Sequence, residues 1–366
     1  MNAVCNLPVV AALAAARDQT NEQRHAPPRL TDISLSRVAV TVTYGQRWHL
    51  LRRALASAKS EGFDRALVVD NGAKADIAQL AADEFGDFVD VVTVGRNTGS
   101  AGGFKMGIQR ALALDAEYLL LLDDDNELQP GALAALVAAH REQSTVVQAD
   151  RLAVLAYRSD RQADVAAGVP ASGMQESKTA FFGFKLLDVP FKIFRRTRFG
   201  RRWLARRTVL TQVALAIAPY SGLYFHRSVP ETHGLPDDQF LLYADDTDFS
   251  CRLVRSGGRI VLVTDAKLVD LEVSWNVKAR FSNTLDALLL GDGDFRAFYS
   301  TRNNAYFERQ SPGGQGFVRA INRAIYLTGL RARAAMTGRR ERFELLMRAV
   351  RDGEAGRLGE HPDFPL

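Results

Sequence analysis

The sequence predicts an α/β fold on three observations: short apolar runs of strand length recur in the first third of the chain, stretches of helical period separate them, and polar residues gather where the runs end. At 366 residues and 47% hydrophobic, the chain can bury one large core or two modest ones, and its composition is that of a globular protein. The strand candidates are Val38–Thr43, Ala66–Val69, Val89–Val94 and Tyr118–Leu122, and the helix candidates are Trp48–Lys59, Ile77–Phe85 and Phe104–Leu114. That alternation implies a parallel sheet with helices on its faces. In open sheets of this kind ligands collect beyond the carboxyl ends of the strands.

The ends of the runs carry chemistry. The first leads into Thr43, Tyr44 and Gly45, the second into Asp70, Asn71 and Gly72, the third into Arg96, Asn97, Thr98 and Gly99, and the fourth into Asp123, Asp124 and Asp125. Four loops therefore face one crevice. "DNG" at Asp70 is also an ordinary turn tripeptide. The glycine-rich "RNTGSAGGF", from Arg96 to Phe104, enters a helix, so its amides and that helix N-terminus suit a phosphate. It has neither the Gly-Lys-Ser/Thr of nucleotide hydrolases nor the G-x-G-x-x-G of dinucleotide folds. Three adjacent carboxylates repel and raise one another's pKa, so either a cation gathers there or the cluster is a solvated turn. Hard oxygen ligands suit Mg²⁺ or Mn²⁺, which keeps positions open for a diphosphate.

Cys5 and Cys251 are too few and too far apart for a disulfide framework or a zinc site, which fits a reducing compartment. The N-terminal stretch has no Lys or Arg before its apolar run, so it reads as a tail or short helix and makes a poor secretory signal. The net charge of +5 is unevenly spread. "KIFRRTRFGRRWLARR", from Lys192 to Arg207, holds eight basic residues and no acidic one, interleaved with Ile193, Phe194, Phe199, Trp203 and Leu204. This pattern suits either an anionic membrane surface or a solvated basic loop; no nucleic-acid-binding motif accompanies it, so nucleic acid is not expected as a partner. Thr208 to Phe225 carries no charge but is interrupted by Gln212, Pro219, Ser221 and Gly222, and reads as buried strand and loop rather than a membrane span. Gly316 to Arg351 reads as one or two basic helices, either a solvated face, the usual case, or, together with the Lys192–Arg207 segment, a surface that docks on a cytoplasmic membrane.

The ordered series "VAVTVTYGQ", "LVVDNGA", "VGRNTGSAGGFKMGIQRAL" and "YLLLLDDDNELQP" resembles the nucleotide-sugar half of family 2 glycosyltransferases. The later "FLLYADDTDFSCRLVRSGGRI" resembles the acidic catalytic motif of that family, and "FRAFYSTRNNAYFERQ" its C-terminal Arg-Asn segment. The likeness spans Val38 to Arg309 and is greatest to the galactofuranosyl- and rhamnosyltransferase-like branch. It implies a GT-A-like, Rossmann-like mixed sheet flanked by helices, with a helical C-terminal region. The expected divisions are 1–34 as a tail, 35–145 as the nucleotide-sugar-binding half, 146–275 as the acceptor-binding and catalytic half including the basic segment 192–207, and 276–366 as a helical region.

The resemblance also implies roles. Asp70 holds the base or ribose, with Thr43, Tyr44 and Asn71 beside it. Arg96, Asn97 and Gly99 lie near the diphosphate of a UDP- or dTDP-sugar, and Asp124 sits on the donor side. Asp123 and Asp125 are the ends of a D-x-D motif holding Mn²⁺ or Mg²⁺. Asp246 is the general base of an inverting transfer, with Asp245 beside it and Asp248 in the next turn; the alternative is a capped, acidic helix N-terminus. In galactofuranosyltransferases a histidine downstream of the base completes the metal site. Asp270 falls at that position here, and Glu272 is close enough to take its place. Tyr220, Tyr224 and Trp275 are expected on the acceptor side. The acceptor is expected to be a glycan or glycolipid, on the cytoplasmic face of the inner membrane. An aspartate-nucleophile phosphotransferase fits poorly, because Glu127 stands where such enzymes need a hydroxyl or Val. A catalytically silent nucleotide-sugar- or membrane-binding module would not need a base so far along the chain.

Overall fold

The computed structural model describes residues 36–169, 177–272, 284–291, 293–310 and 316–366. The described residues belong to one compact unit. The tail expected over 1–34 lies outside them, as does Trp275. Strands β1 (Arg37–Gly45), β2 (Arg65–Ala73), β3 (Val89–Thr93) and β4 (Tyr118–Asp123) alternate with helices α1 (Trp48–Glu61), α2 (Ile77–Phe85) and α3 (Gly99–Ala113), in the expected order. β1, β2 and β4 are buried along nearly their whole length because helices cover both faces, which is why they read as continuous apolar runs.

Beyond them come β5 (Asn126–Leu128), α4 (Ala132–Gln143), β6 (Leu152–Tyr157), α5 (Ser159–Ala166), α6 (Val189–Arg196), α7 (Arg198–Ala205), β7 (Gln212–Leu215), β8 (Leu223–His226), α8 (Ser228–His233), α9 (Asp245–Arg255) and β9 (Arg259–Asp270). The sheet runs β3-β2-β1-β4-β8-β6-β9-β5, with β7 also on β9. The first four strands are parallel, β8 is antiparallel to both its neighbours, and β6 is parallel to β9. The sheet is therefore mixed and flanked by helices. The uncharged run from Thr208 divides into β7, β8 and the loop between them, and among the described residues no helix is long and apolar enough to cross a membrane. The chain leaves β1 to one side for β2 and β3 and returns on the other side for β4. The carboxyl ends of β1 and β4 thus form the topological switch point where crevices open.

Four further helices, α10 (Thr284–Leu290), α11 (Asp294–Gln310), α12 (Phe317–Met336) and α13 (Arg340–Glu354), form the expected helical C-terminal region around Leu289, Ala297, Tyr326, Leu330, Leu346 and Val350.

Helix α3 begins at Gly99, earlier than the Phe104 read from periodicity. Its glycines serve close packing. A Cβ at Gly103 would stand 2.5 Å from Val42 Cγ1, and one at Gly107 2.4 Å from Val40 Cγ1. Val40 and Val69 are fully buried and offer Gly107 no room to yield. Alanine at 107 gains about 1 kcal/mol of helix propensity, but overpacking costs about 1–3 kcal/mol. Gly107→Ala is therefore expected to lower the urea midpoint, whereas an unchanged or raised midpoint would show that α3 can move off β1.

Candidate active site

The residues that were separate in sequence meet at the switch point. Asp123 closes β4, and Asp124 and Asp125 make the turn into β5. The turn is acidic, but it is not simply solvated. Asp124 is buried, accepts a 2.8 Å hydrogen bond from the Thr43 hydroxyl at the end of β1, and receives the Arg47 Nε at 3.0 Å on both oxygens. The same guanidinium reaches Asp125 at 3.2 Å and Glu272 on the far side. Burial works against the charge on Arg47, yet Asp124 and Glu272 hold it firmly protonated. Arg47 is thus an internal cation for the cluster, and no sequence motif marked it.

Asp123 is placed differently. Among the described residues no side chain donates a hydrogen bond to its carboxylate. Burial pushes that carboxyl up to about 7; Arg158 opposes the shift, while Asp125, Asp124 and Asp246 add to it. Burial also raises Asp124, to about 6, against the pull of Arg47 and the Thr43 bond, and it raises Asp125.

Asp245 and Asp246 open α9 and turn towards the same space. Asp245 is buried and accepts 2.8 Å from the Ser100 hydroxyl of α3. Asp246 is half-buried and accepts from the amide of Thr247 at 2.6 Å. Burial raises both carboxyls, and Asp246 adds to the shift at Asp245. Asp248 is engaged by Arg252 at 3.0 Å, one helical turn on.

The loop that delivers this pair is strained, with Leu241, Tyr243 and Ala244 at φ of 63°, 67° and 63°. Asn303 of α11 holds it. The buried side-chain amide donates to the carbonyls of Phe240, Leu242 and Tyr243 at 2.7, 2.7 and 3.1 Å. Beside it the buried Arg302 donates to Asn303 Oδ1 and to Gly359. The Arg-Asn segment therefore acts through the acidic loop.

Asp270 closes β9 opposite Asn126. Its carboxylate accepts from Asn126 Nδ2 at 2.9 Å, from Arg161 Nε at 2.6 Å and, loosely, from Arg158 at 3.4 Å. It lies within the cluster as the counter-ion of two arginines. Ser221 donates to Asn126 and stands 3.4 Å from the Asp123 amide, which stitches the loop before β8 to the acidic turn.

The other expected residues divide. One Asp70 oxygen accepts the amides of Gly72 and Ala73 at 3.2 and 2.7 Å, so the turn is real, and Tyr44 is 43% exposed at the crevice mouth under Arg47. Asn71 spends its side chain on the neighbouring loop, accepting from Thr98 and donating to Asn97 and Gly99. Arg96 and Asn97 line a cavity of about 340 Å³ with Thr98, Gly102, Lys105 and Leu241.

The N-terminus of α3 is less open than its glycines suggested. The Leu241 carbonyl takes the Ala101 amide at 3.0 Å, Asn97 takes that of Gly99, and a Cβ at Gly99 would strike Leu241 O at 2.0 Å. Tyr224 is corrected outright. It sits mid-strand in β8 between β4 and β6, buried and stacked on Tyr118 at 5.4 Å, so it is core and cannot meet an acceptor. Tyr220 is also buried, its ring 4.5 Å from Phe104, but among the described residues its hydroxyl has no hydrogen-bond partner, and burial, with Asp245 and Asp246 near, raises its pKa.

Among the described residues, no three His, Cys, Asp or Glu side chains already converge as a metal cage. The donor set nevertheless fits a hard divalent cation: Asp123 has an oxygen-only carboxylate with no donor on it, and the Asp125 carboxylate is only partly covered by Arg47.

A mixed, helix-flanked sheet with carboxylates gathered at its switch point is the GT-A-like architecture that the sequence resemblance implies. Residues 38–201 match the family model described as Glycosyl transferase family 2. The chain is 25% identical to Galactofuranosyltransferase GlfT1 of Mycobacterium tuberculosis over 75% of this chain and 82% of that protein. It is 26% identical to Galactofuranosyltransferase GlfT1 of Mycolicibacterium smegmatis over 84% of this chain and 97% of that one. A crystal structure of GalNAc-T7 with UDP, GalNAc and Mn²⁺ aligns at a TM-score of 0.48 and 14% identity, covering 81% of this chain and 54% of that one. Over residues 38–201 the chain is thus similar to family 2 glycosyltransferases, and over most of its length it resembles the galactofuranosyltransferases.

Two outcomes test the site's physics. A carboxyl raised by burial favours the protonated folded state, so its ionisation destabilises the fold as pH climbs from the unfolded value near 4 to about 7, and the penalty is constant above that. In the presence of chelator, Asp123→Asn is expected to be more stable than the parent at pH 8 by on the order of 1–3 kcal/mol and indistinguishable near pH 4. Urea titrations at both pH values decide it, and an equal gain at both would refute the charge origin. Asn303→Ala is expected to cost about 2 kcal/mol and to speed hydrogen exchange at the amides of residues 241–246. Unaltered exchange there would mean the loop holds itself.

Proposed function

We propose that this glycosyltransferase is metal-dependent and inverting, and moves galactofuranose or a rhamnose-like sugar from a nucleoside diphosphate donor to a lipid-linked glycan in cell-surface polysaccharide synthesis. The observation that carries the reading is the meeting of the Asp123–Asp125 turn with Asp246 at the switch point, since Asp123 and Asp246 feel one another's charge. The names of the relatives favour galactofuranose. UDP or dTDP is the nucleotide. The work is done at the cytoplasmic face of the membrane, where lipid-linked acceptors would be met.

Tyr44 presents an exposed ring for the base at the crevice mouth, and the free oxygen of Asp70 faces the base or ribose. Arg96 and Asn97 stand on the diphosphate side. Asp123 and Asp125 hold Mn²⁺ or Mg²⁺; Asp270 keeps its arginines, which leaves Glu272 as the carboxylate free to complete the set once Arg47 moves. A bound divalent cation neutralises the charge that develops on the departing diphosphate.

Asp246 takes the proton of the acceptor hydroxyl as that oxygen bonds to the anomeric carbon and the bond to the diphosphate oxygen breaks on the opposite face. The configuration inverts. Burial serves this step, because a carboxyl raised above its ordinary range is a stronger base. Asp245, held by Ser100, orients the turn and stays out of the reaction.

Thermal unfolding with UDP, dTDP and their sugars, with and without Mn²⁺ or Mg²⁺, tests the reading. A metal-dependent rise with one nucleotide, absent in Asp125→Ala, is expected. Asp246→Asn is expected to keep that rise and to lose transfer by roughly 10²–10⁴-fold. No rise with any nucleotide would reduce the turn to an acidic bend, and a rise with undiminished transfer in Asp246→Asn would remove Asp246 as base. Binding without any transfer by the parent would favour a silent nucleotide-sugar-binding module.

A further inference from the structure

The basic segment from Lys192 to Arg207 folds as a short helical pair, α6 and α7. Phe191 and Phe194 of α6 meet Trp203 of α7 at 5.9 and 6.3 Å, and the helices approach so closely at Gly200 that a Cβ there would stand 2.0 Å from the Phe194 carbonyl. What they leave outside is apolar. Leu187 is 85% exposed, Ile193 59% and Phe199 81%.

The charges divide clearly. Arg195 pairs with Asp164, and Arg207 bonds the carbonyls of Ala167 and Gly168 and lies over Trp203. Among the described residues, Lys192, Arg196, Arg198, Arg201, Arg202 and Arg206 meet no carboxylate. No acidic residue occurs between Asp188 and Glu231, so nothing on the same stretch of chain offsets them.

The surface continues onto α12, a 20-residue helix without a single Asp or Glu. Asn322 on its inner face accepts from the Leu186 amide at 2.9 Å and donates to the Thr179 carbonyl at 2.8 Å. The segment leading into α6 is thereby pinned to α12, and Phe181 and Tyr326 pack together behind the pin. On the outward side Phe317, Ile321 and Ile325 recur every fourth residue, with Val318 beside them, all exposed.

We propose that α6, α7 and the outer face of α12 form a docking surface for a bilayer containing anionic phospholipid. Charge complementarity selects that occupant. Clustered guanidinium groups repel one another in water and are relieved by lipid phosphates, while their stems lie along apolar surface. A nucleic-acid backbone would use the cations but leave Leu187, Ile193 and Phe199 in water. A headgroup layer takes both, the rings and aliphatic chains entering below the level of the phosphates. Docking in this way holds the enzyme beside any lipid-borne substrate and does not depend on the donor chemistry proposed above.

The purified full chain is floated with vesicles of phosphatidylcholine alone and of phosphatidylcholine mixed with phosphatidylglycerol, at low and high salt. It is expected to float with the anionic vesicles only and to be released by salt. The double change Arg198→Glu with Arg201→Glu is expected to lower partitioning at least about 10-fold. Ile193→Ser with Phe199→Ser, and separately Phe317→Ser with Ile321→Ser, are expected to weaken it while the salt dependence persists. Circular dichroism checks that each variant folds. Absence of flotation, equal flotation with neutral vesicles, undiminished flotation of all three variants, or displacement by a short DNA duplex would overturn the proposal. None of these outcomes bears on nucleotide binding, which the thermal measurements read separately.

Discussion

Like charges crowded into one crevice are the constraint around which this protein is arranged. Asp123, Asp124, Asp125, Asp245, Asp246 and Asp270 come from three places in the chain and feel one another's fields. Desolvating even one carboxylate is costly, and several together are tolerated only where cations and hydrogen bonds meet them. Arg47 after β1, Arg158 after β6 and Arg161 on α5 supply the cations, and Thr43, Ser100 and Asn126 supply the donors. The two halves of the sheet are thus tied across the crevice by electrostatics as well as by β8.

The helical C-terminal region belongs to the same device. Its buried Arg302 and Asn303 fix a loop with three non-glycine residues at positive φ, a conformation costing on the order of 1–3 kcal/mol per residue unless the surroundings enforce it. That loop does two things at once. It aims Asp245 and Asp246 into the crevice, and through the Leu241 carbonyl it closes the start of α3. The glycines of "GSAGG" are therefore explained by what lies against them, Leu241 at Gly99 and Val42 at Gly103.

The parallel half of the fold was legible because buried parallel strands are uniformly apolar and their helices keep a clear period. The ends of those strands were legible for the same reason, and with them the crevice and the acidic turn. What stayed hidden depends on distance in sequence. Arg47 meets Glu272 across 225 residues, and Asp270 meets Arg158 across 112. No local pattern marks which carboxylate an arginine will find. Tyr224 was placed on the acceptor side by the family resemblance alone, although the uncharged run around it already read as buried strand, and its position in β8 between β4 and β6 makes it core. The early start of α3 was missed because three glycines lower helix propensity, and only the packing against β1 and the 240–244 loop reveals why they are there.

The electrostatic arrangement bears on how a donor would enter under the proposed reaction. A nucleoside diphosphate is an anion, and the crevice presents more carboxylates than guanidinium groups, so a bare diphosphate would be repelled by Asp123, Asp125 and Asp246. Arg47 cannot serve the diphosphate without deserting Asp124 and Asp125, which would leave those carboxylates uncompensated. A divalent cation would change the balance on both sides, since it would offset carboxylates and diphosphate together and let Arg47, already over the Tyr44 ring, leave the carboxylates for the donor. Donor and cation are then coupled by charge balance alone, each lowering the electrostatic cost of the other. The carboxyls that burial raises are the ones whose ionisation that coupling would favour.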